Sequence, residues 1–325
     1  MIIVKHLNRR NYYRLISKFV YLFDWSSKNK FYSALEKYRA LYSAYMKNKE
    51  DYSDYLVPMW KQNEQEIERN FLNNFNYSFL NNRIIRMAMF MDYGGEQQEY
   101  EIKYLEERLN KNTLSQLLKE SPVGHPTLTD FDYKTSHNSI HHLCHLIKFS
   151  EKADVDLEKT NNIVEWGGGY GNLARIFLKI NPSATYTIID LPIFSFIQAL
   201  YLTAVFGYEK VNLLLNTKDT IKPGKINIIP LDKKVLENMS FEQPDIFIST
   251  WALSESSKYS IRYVGDSSFF GARLLLLAHQ QKSSSTPYSE MLTDFMRGYQ
   301  ILYHEKIPLL KNNYYLFARK NEQAL

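Results

Sequence analysis

The sequence predicts an α/β protein: a mostly parallel sheet of seven strands whose last strand is antiparallel, behind a helical N-terminal region. Three observations predict it. From Asn161 onward short β-rich runs alternate with helical stretches; the final two runs stand too close together for a crossover; and the first third repeats apolar residues at helical spacing.

In the first third, Phe31, Leu35, Tyr38, Tyr42 and Tyr45 mark one face of a helix. Further helical patterns cover about 60–75, 80–91 and 98–119, with DYGG at 92–95 as punctuation. This gives a helical domain over 1–115, expected to act as a lid or subunit contact, and a second domain over 116–325. The opening segment MIIVKHLNRRNYYRLISKFVYLFDW places Tyr12, Leu15, Ile16 and Phe19 on one face, near Arg9, Arg10, Arg14 and Lys18. The preferred reading is a helix packed on its own protein, and the alternative is a weak membrane-surface contact. Charges interrupt it, so neither a secretory signal nor an integral span is expected.

The β runs are NIVEW (162–166), TYTIID (185–190), KINIIP (225–230), DIFIST (245–250), ARLLLLAH (272–279), YQILYHEKI (299–307) and NYYLFARK (313–320). Each parallel step needs a crossover, so helices should cover both faces. Only about five residues separate the last two runs, which therefore pair as an antiparallel hairpin.

Composition narrows the function classes. The 40 Lys+Arg are set against 35 Asp+Glu and interspersed with them, so the net charge of +5 gives no nucleic-acid footprint. The single cysteine, Cys144, excludes an internal disulfide and fits a reducing, cytoplasmic setting. Tyrosine and phenylalanine number 25 and 19; aromatic platforms suit sugar rings, but core filling explains most of them.

The stretch EWGGGYGN holds four of the twelve glycines. If Glu165 ends a strand and Asn172 begins a helix, then Gly167, Gly168, Gly169 and Gly171 form a strand-to-helix loop, the place where nucleotide-like ligands meet bare backbone. The strict Gly-x-Gly-x-x-Gly dinucleotide pattern fails in every register, while the relaxed form fits as Gly169, Gly171 and Ala174, so spacing alone leaves NAD open. Glu165 favours a different ligand: a carboxylate beside the glycines repels a pyrophosphate and attracts an ammonium and a sulfonium, as S-adenosylmethionine carries. Asp190, followed by Leu191, ends the next strand and can accept ribose hydroxyl protons from either cofactor, or cap the following helix. Leu231 and Asp232 stand where an adenine is clasped, although Asp232 is equally an N-cap. Ser249 and Thr250, ending the fourth strand, are placed to line a methionine portion, although a strand terminus also needs small polar residues for its turn.

VEWGGGYGNLARI, IIDLP and DIFISTWALSES, in this order before a terminal hairpin, resemble class I S-adenosylmethionine-dependent methyltransferases. More narrowly they resemble the sugar O-methyltransferases of bacterial surface-polysaccharide clusters, with VGHP at 123–126 and the pair Ser254-Glu255 as further matches. The resemblance covers about 120–320. Ser256 departs from it, since an apolar residue more often follows the glutamate. It implies a Rossmann-like sheet, S-adenosylmethionine as cofactor, and methylation of a hydroxyl on a sugar or nucleotide-linked sugar in polysaccharide or glycoconjugate biosynthesis. The alternatives are another small acceptor (a polyketide, phenol or lipid-linked molecule) and a non-catalytic scaffold. The partners expected are a saccharide acceptor and a second copy of the chain, without nucleic acid.

Methyl transfer to a hydroxyl calls for a base beyond the strand ends. His279 is the first choice because imidazole titrates nearest working pH, with Glu255 and His304 as the others. His125, His141, Trp251 and Ser254 are the candidates for acceptor binding. His141 and His145 in SHNSIHHLCHLIKF share a helix face, but no carboxylate completes an H-E-x-x-H pattern and no second cysteine exists, so no metal is expected.

Overall fold

The computed structural model describes residues 9–21, 25–49, 51–91 and 94–321. Residues 1–8, 22–24, 50, 92–93 and 322–325 lie outside it, as do the side chains of Arg9, Arg10, Asn11, Trp25 and Ser26; part of the N-terminal amphipathic segment and the Asp-Tyr half of DYGG therefore fall outside the described residues.

The helices are α1 (Arg9–Val20), α2 (Trp25–Asn48), α3 (Pro58–Asn73), α4 (Arg83–Met89), α5 (Glu96–Glu106), α6 (Lys111–Leu118), α7 (His137–Ala153), α8 (Asn172–Ile180), α9 (Pro192–Phe206), α10 (Lys233–Glu237) and α11 (Lys258–Asp266). The strands are β1 (Asn162–Trp166), β2 (Thr185–Asp190), β3 (Val211–Leu213), β4 (Ile226–Pro230), β5 (Ile246–Thr250), β6 (Leu274–Gln280), β7 (Tyr299–Lys306) and β8 (Asn313–Lys320). They form one sheet in the order β3-β4-β2-β1-β5-β6-β8-β7. All pairings up to β6 are parallel; β8 is antiparallel to both β6 and β7. The expected terminal hairpin is present, with its second arm inserted beside β6. The eighth strand, β3, corrects the count of seven. Its three half-buried residues are too few to register as an alternating run.

Alternation along the strands feeds two cores. Ile163, Tyr186, Ile188, Ile246 and Ile248 point to one face, and Val164, Trp166, Ile189, Phe247 and Leu275 to the other. The first core continues without a break into Phe31, Leu35, Tyr38, Tyr42 and Phe71 of the N-terminal helices. Tyr42 meets Phe196 edge-on at 5.1 Å, and the Tyr38 and Thr203 hydroxyls bond at 2.8 Å, so α2 is seated on α9. Burying each such side chain contributes about 1.5–3 kcal/mol.

The N-terminal helix packs on its own protein, as the preferred reading expects, but not through the apolar face named for it. Leu15 is 46% and Phe19 61% exposed, and what packs is the opposite side. There the Ser17 hydroxyl accepts the Leu128 N–H at 2.8 Å and Tyr21 stacks on His125. Among the described residues no helix is long and apolar enough to cross a membrane.

From β1 the chain steps to β2 on one side, and it later returns to place β5 on the other. A crevice opens at such a reversal, beyond the carboxyl ends of the strands.

Candidate functional site

A cavity of about 430 Å³ occupies that crevice. Gly167, Gly168 and Gly169 form one wall. Gly167 has φ 78°, and a Cβ there would stand 2.0 Å from that of Ala252, so this position admits glycine alone. Gly171, with φ 93°, is the N-cap of α8 and lies behind the wall.

Two carboxylates converge on the loop. Glu165 is buried and accepts the Tyr186 hydroxyl at 3.0 Å; burial pushes its pKa up to about 8, and its charged neighbour is another acid, Asp190. Asp190 accepts the Leu191 N–H at 2.8 Å and the Gln198 amide at 2.7 Å while also lining the cavity, and desolvation pushes it up to about 7. Among the described residues no lysine or arginine pairs with either. A cationic ligand would supply the missing countercharge.

Beside Asp190 lies an apolar slot of Leu191, Phe194, Leu231 and Trp60, in which the Phe194 and Trp60 rings meet edge-on at 5.6 Å. Asp232 does not line the cavity. It caps α10 by accepting the Val235 N–H at 3.3 Å, and the Tyr45 hydroxyl donates to it at 3.4 Å. Ser249 is likewise withdrawn, knitting the turn by donating to Trp166 O at 3.0 Å and accepting the Leu253 N–H at 3.0 Å, while Thr250 does reach the cavity.

At the far end Trp251 lines the cavity with φ 66°, a left-handed conformation that costs a bulky residue about 1–3 kcal/mol. Its indole N–H donates to Asn313 Oδ1 at 2.6 Å, and Ser254, out of the cavity, props its carbonyl at 2.7 Å. Glu255 also lines the cavity; Gln280 donates to it at 3.1 Å, and burial raises its pKa.

His279 is not beside Glu255. Successive strand residues face opposite sides of a sheet, so β6 presents Gln280 to the cavity and turns His279 toward His304 and Tyr314 of the terminal hairpin, ring centres 5.8 Å away in each case. There burial lowers its pKa to about 4. His304 is exposed on β7. His125 is packed between Tyr21 and Tyr77, away from the cavity. His141 is fully buried behind Trp251, stacked on its indole at 5.1 Å.

The histidine that does line the cavity is His142. A buried chain of polar groups sets its state. Arg175, paired with Glu120 at 2.7 Å, donates from Nε to Asn172 Oδ1 at 2.9 Å, which turns the Asn172 NH2 toward His142 Nδ1 at 3.1 Å. An NH2 group only donates, so Nδ1 accepts and the ring proton sits on Nε2. Burial, with His141 and Arg175 nearby, lowers the pKa to about 3, so the ring is a neutral donor. Asn172 therefore acts from behind the wall rather than on it. Asn138, His142, Gln280 and Asn313 complete the polar lining, and Tyr55, Met87, Met89 and Phe90 bring the N-terminal helical region to the rim; none was singled out for the site from sequence.

No protein-family model and no curated protein matches this chain. Among solved structures, it is similar to magnesium protoporphyrin IX methyltransferase from Synechocystis PCC 6803 with bound SAH, at 12% identity and TM-score 0.40, covering 69% of this chain and 100% of that one. It is also similar to TrmK of M. capricolum in complex with S-adenosyl-homocysteine, at 12% identity and TM-score 0.37, over 54% of this chain and 68% of that one. A third is the mitomycin 7-O-methyltransferase MmcR, at 14% identity and TM-score 0.37, over 70% and 67% of the two chains. Likeness at this level assigns no function, which rests on this chain's own residues.

Proposed function

We propose that this chain is an S-adenosylmethionine-dependent O-methyltransferase whose acceptor is a hydroxyl of a sugar or nucleotide-linked sugar. The carrying observation is the pair Glu165 and Asp190, desolvated and paired with no lysine or arginine among the described residues, on either side of a glycine loop at the sheet's reversal point. When bound, the cofactor supplies a methyl carbon made electrophilic by a sulfonium. Glu165 receives the positive end of the ligand, Asp190 the ribose hydroxyls, and the slot of Leu191, Phe194 and Leu231 the adenine. The bare backbone of Gly167 and Gly169 lets the ligand lie close.

The acceptor end supports a saccharide by its chemistry: one aromatic platform, Trp251, beside Asn138, His142, Glu255, Gln280 and Asn313. Glu255 takes the hydroxyl proton, its basicity raised by burial, while the His142 Nε2–H orients an acceptor oxygen. The Met87, Met89 and Phe90 rim shields the reacting oxygen from water.

Calorimetry with S-adenosylhomocysteine should show one site, weakened roughly 10–100-fold by Asp190→Ala, the loss of a charge-assisted pair of hydrogen bonds. Methyl-labelled cofactor with a panel of nucleotide sugars then tests the acceptor. Label in phenols but never in sugars would replace the acceptor and leave the cofactor site standing; no binding of the homocysteine product would remove both.

A further inference from the structure

Behind Trp251, outside the cavity, two helices bring three metal-ligating side chains together. Glu101 of α5 faces His137 and His141, one turn apart on α7. His137 Nε2 lies 3.2 Å from one carboxylate oxygen, and His141 Nδ1 is in short contact with the other. All three donor atoms fall within 4.8 Å of one another, and the side chains are 0–3% exposed. Gln97, also buried, donates to Glu101 at 3.0 Å and stands 3.4 Å from His141 Nδ1. The backbone of Gly94 presses on His137 so closely that a Cβ would meet its Cε1 at 2.1 Å, which holds the ring in place.

A carboxylate this deeply buried needs a countercharge, and among the described residues no lysine or arginine pairs with it. Protonating His141 would provide one, at the cost of burying an imidazolium. A dication neutralises the carboxylate and leaves both rings in the neutral state that ligation requires. Two imidazoles and one carboxylate form a donor set of the zinc class, whose bonds of about 2.0–2.2 Å are reached from these separations by small side-chain shifts.

We infer that Glu101, His137 and His141 bind a divalent transition-metal ion of the zinc class, which locks α5 to α7 and backs the Trp251 wall. The ion lies behind the indole, so its role is to position the cavity wall, and it does not depend on what the cavity binds.

The test uses the full-length protein. After chelation and reloading with zinc alone, elemental analysis should give about one equivalent per chain, with a raised Tm. Cobalt(II) in its place should show visible absorption bands from a nitrogen-oxygen site. Glu101→Gln, isosteric and checked for folding by circular dichroism, should weaken zinc binding by roughly 100-fold. Wild-type protein that takes up no stoichiometric metal and gains no Tm overturns the assignment. So does Glu101→Gln protein that binds zinc as tightly as the parent.

Discussion

The two ends of the cavity are built by opposite means. The glycine-loop end comes mainly from two stretches close in the chain, 165–171 and 190–198, and presents bare backbone and carboxylates that pair with no lysine or arginine among the described residues. The Trp251 end is assembled from separate elements, and each of its polar groups is held by a partner: Trp251 by Asn313, Glu255 by Gln280, His142 by Asn172. One end offers a ligand charge and the shape of the main chain, the other a set of oriented side chains. Changes at the two ends should therefore separate binding of the adenosyl ligand from turnover.

The sharpest separation comes from Glu255→Gln. With the proposed base removed but its volume and its bond to Gln280 conserved, kcat should fall by roughly 10²–10⁴ while S-adenosylhomocysteine affinity stays within about twofold. Equal losses in both would erase the distinction between the ends. Gly167→Ala is the mirror case: the left-handed conformation alone costs about 1–2 kcal/mol for a residue with a Cβ, and contact with Ala252 adds to it. A loss of roughly 30-fold or more in homocysteine-product affinity, read by calorimetry, is expected together with a lower Tm.

A pH titration sharpens the comparison further. In the ligand-free protein Glu165 holds its proton up to about pH 8, whereas the unfolded chain releases it near the ordinary 4.5. The folded state therefore binds more protons across that window, and stability should fall as pH rises from about 4.5 to about 8, with Asp190 adding to the fall up to about 7. Ligand binding should run the other way. A cationic ligand selects the ionised carboxylate, so affinity should rise by at most about tenfold per pH unit per group and level off above about pH 8, with proton release on binding. Glu165→Gln should remove the part of both curves between about pH 7 and pH 8 and leave below it only the slope due to Asp190, and curves unchanged by the substitution would place the titrating group elsewhere.

The loop end was legible because its parts are adjacent in sequence. A strand ending in Glu165, four crowded glycines and Asp190 nineteen residues beyond Gly171 all follow from local spacing. The parallel strands other than β3 were legible for the same reason, being near-continuous apolar runs. The Trp251 end was not, because one-residue register decides which strand residue reaches a cavity. His279 and Gln280 are neighbours, and only pairing with β8 shows that the glutamine faces in. Glu101 lies 36 residues before His137, so nothing local joins it to the histidine helix. Asp232 and Ser249 each offered two readings, and hydrogen bonds to Val235 and Leu253 select the turn-making one.

The smallest effect tests the finest distinction at the Trp251 end, donor against base. Asn172 presents an NH2 to Nδ1, so the His142 proton resides on Nε2 and the ring stays neutral above about pH 3. A glutamine can supply an equivalent N–H without titrating, so His142→Gln should keep kcat/KM for the acceptor within about threefold and leave the pH profile unchanged. His142→Ala, lacking any donor, should lose about tenfold, the worth of one hydrogen bond to the acceptor. If glutamine fails as badly as Glu255→Gln, the ring and not the carboxylate takes the proton. Asn172→Asp supplies the converse: a carboxylate at Nδ1 draws the proton there, raises the imidazole pKa, and should add a limb to the pH–rate profile that the parent lacks.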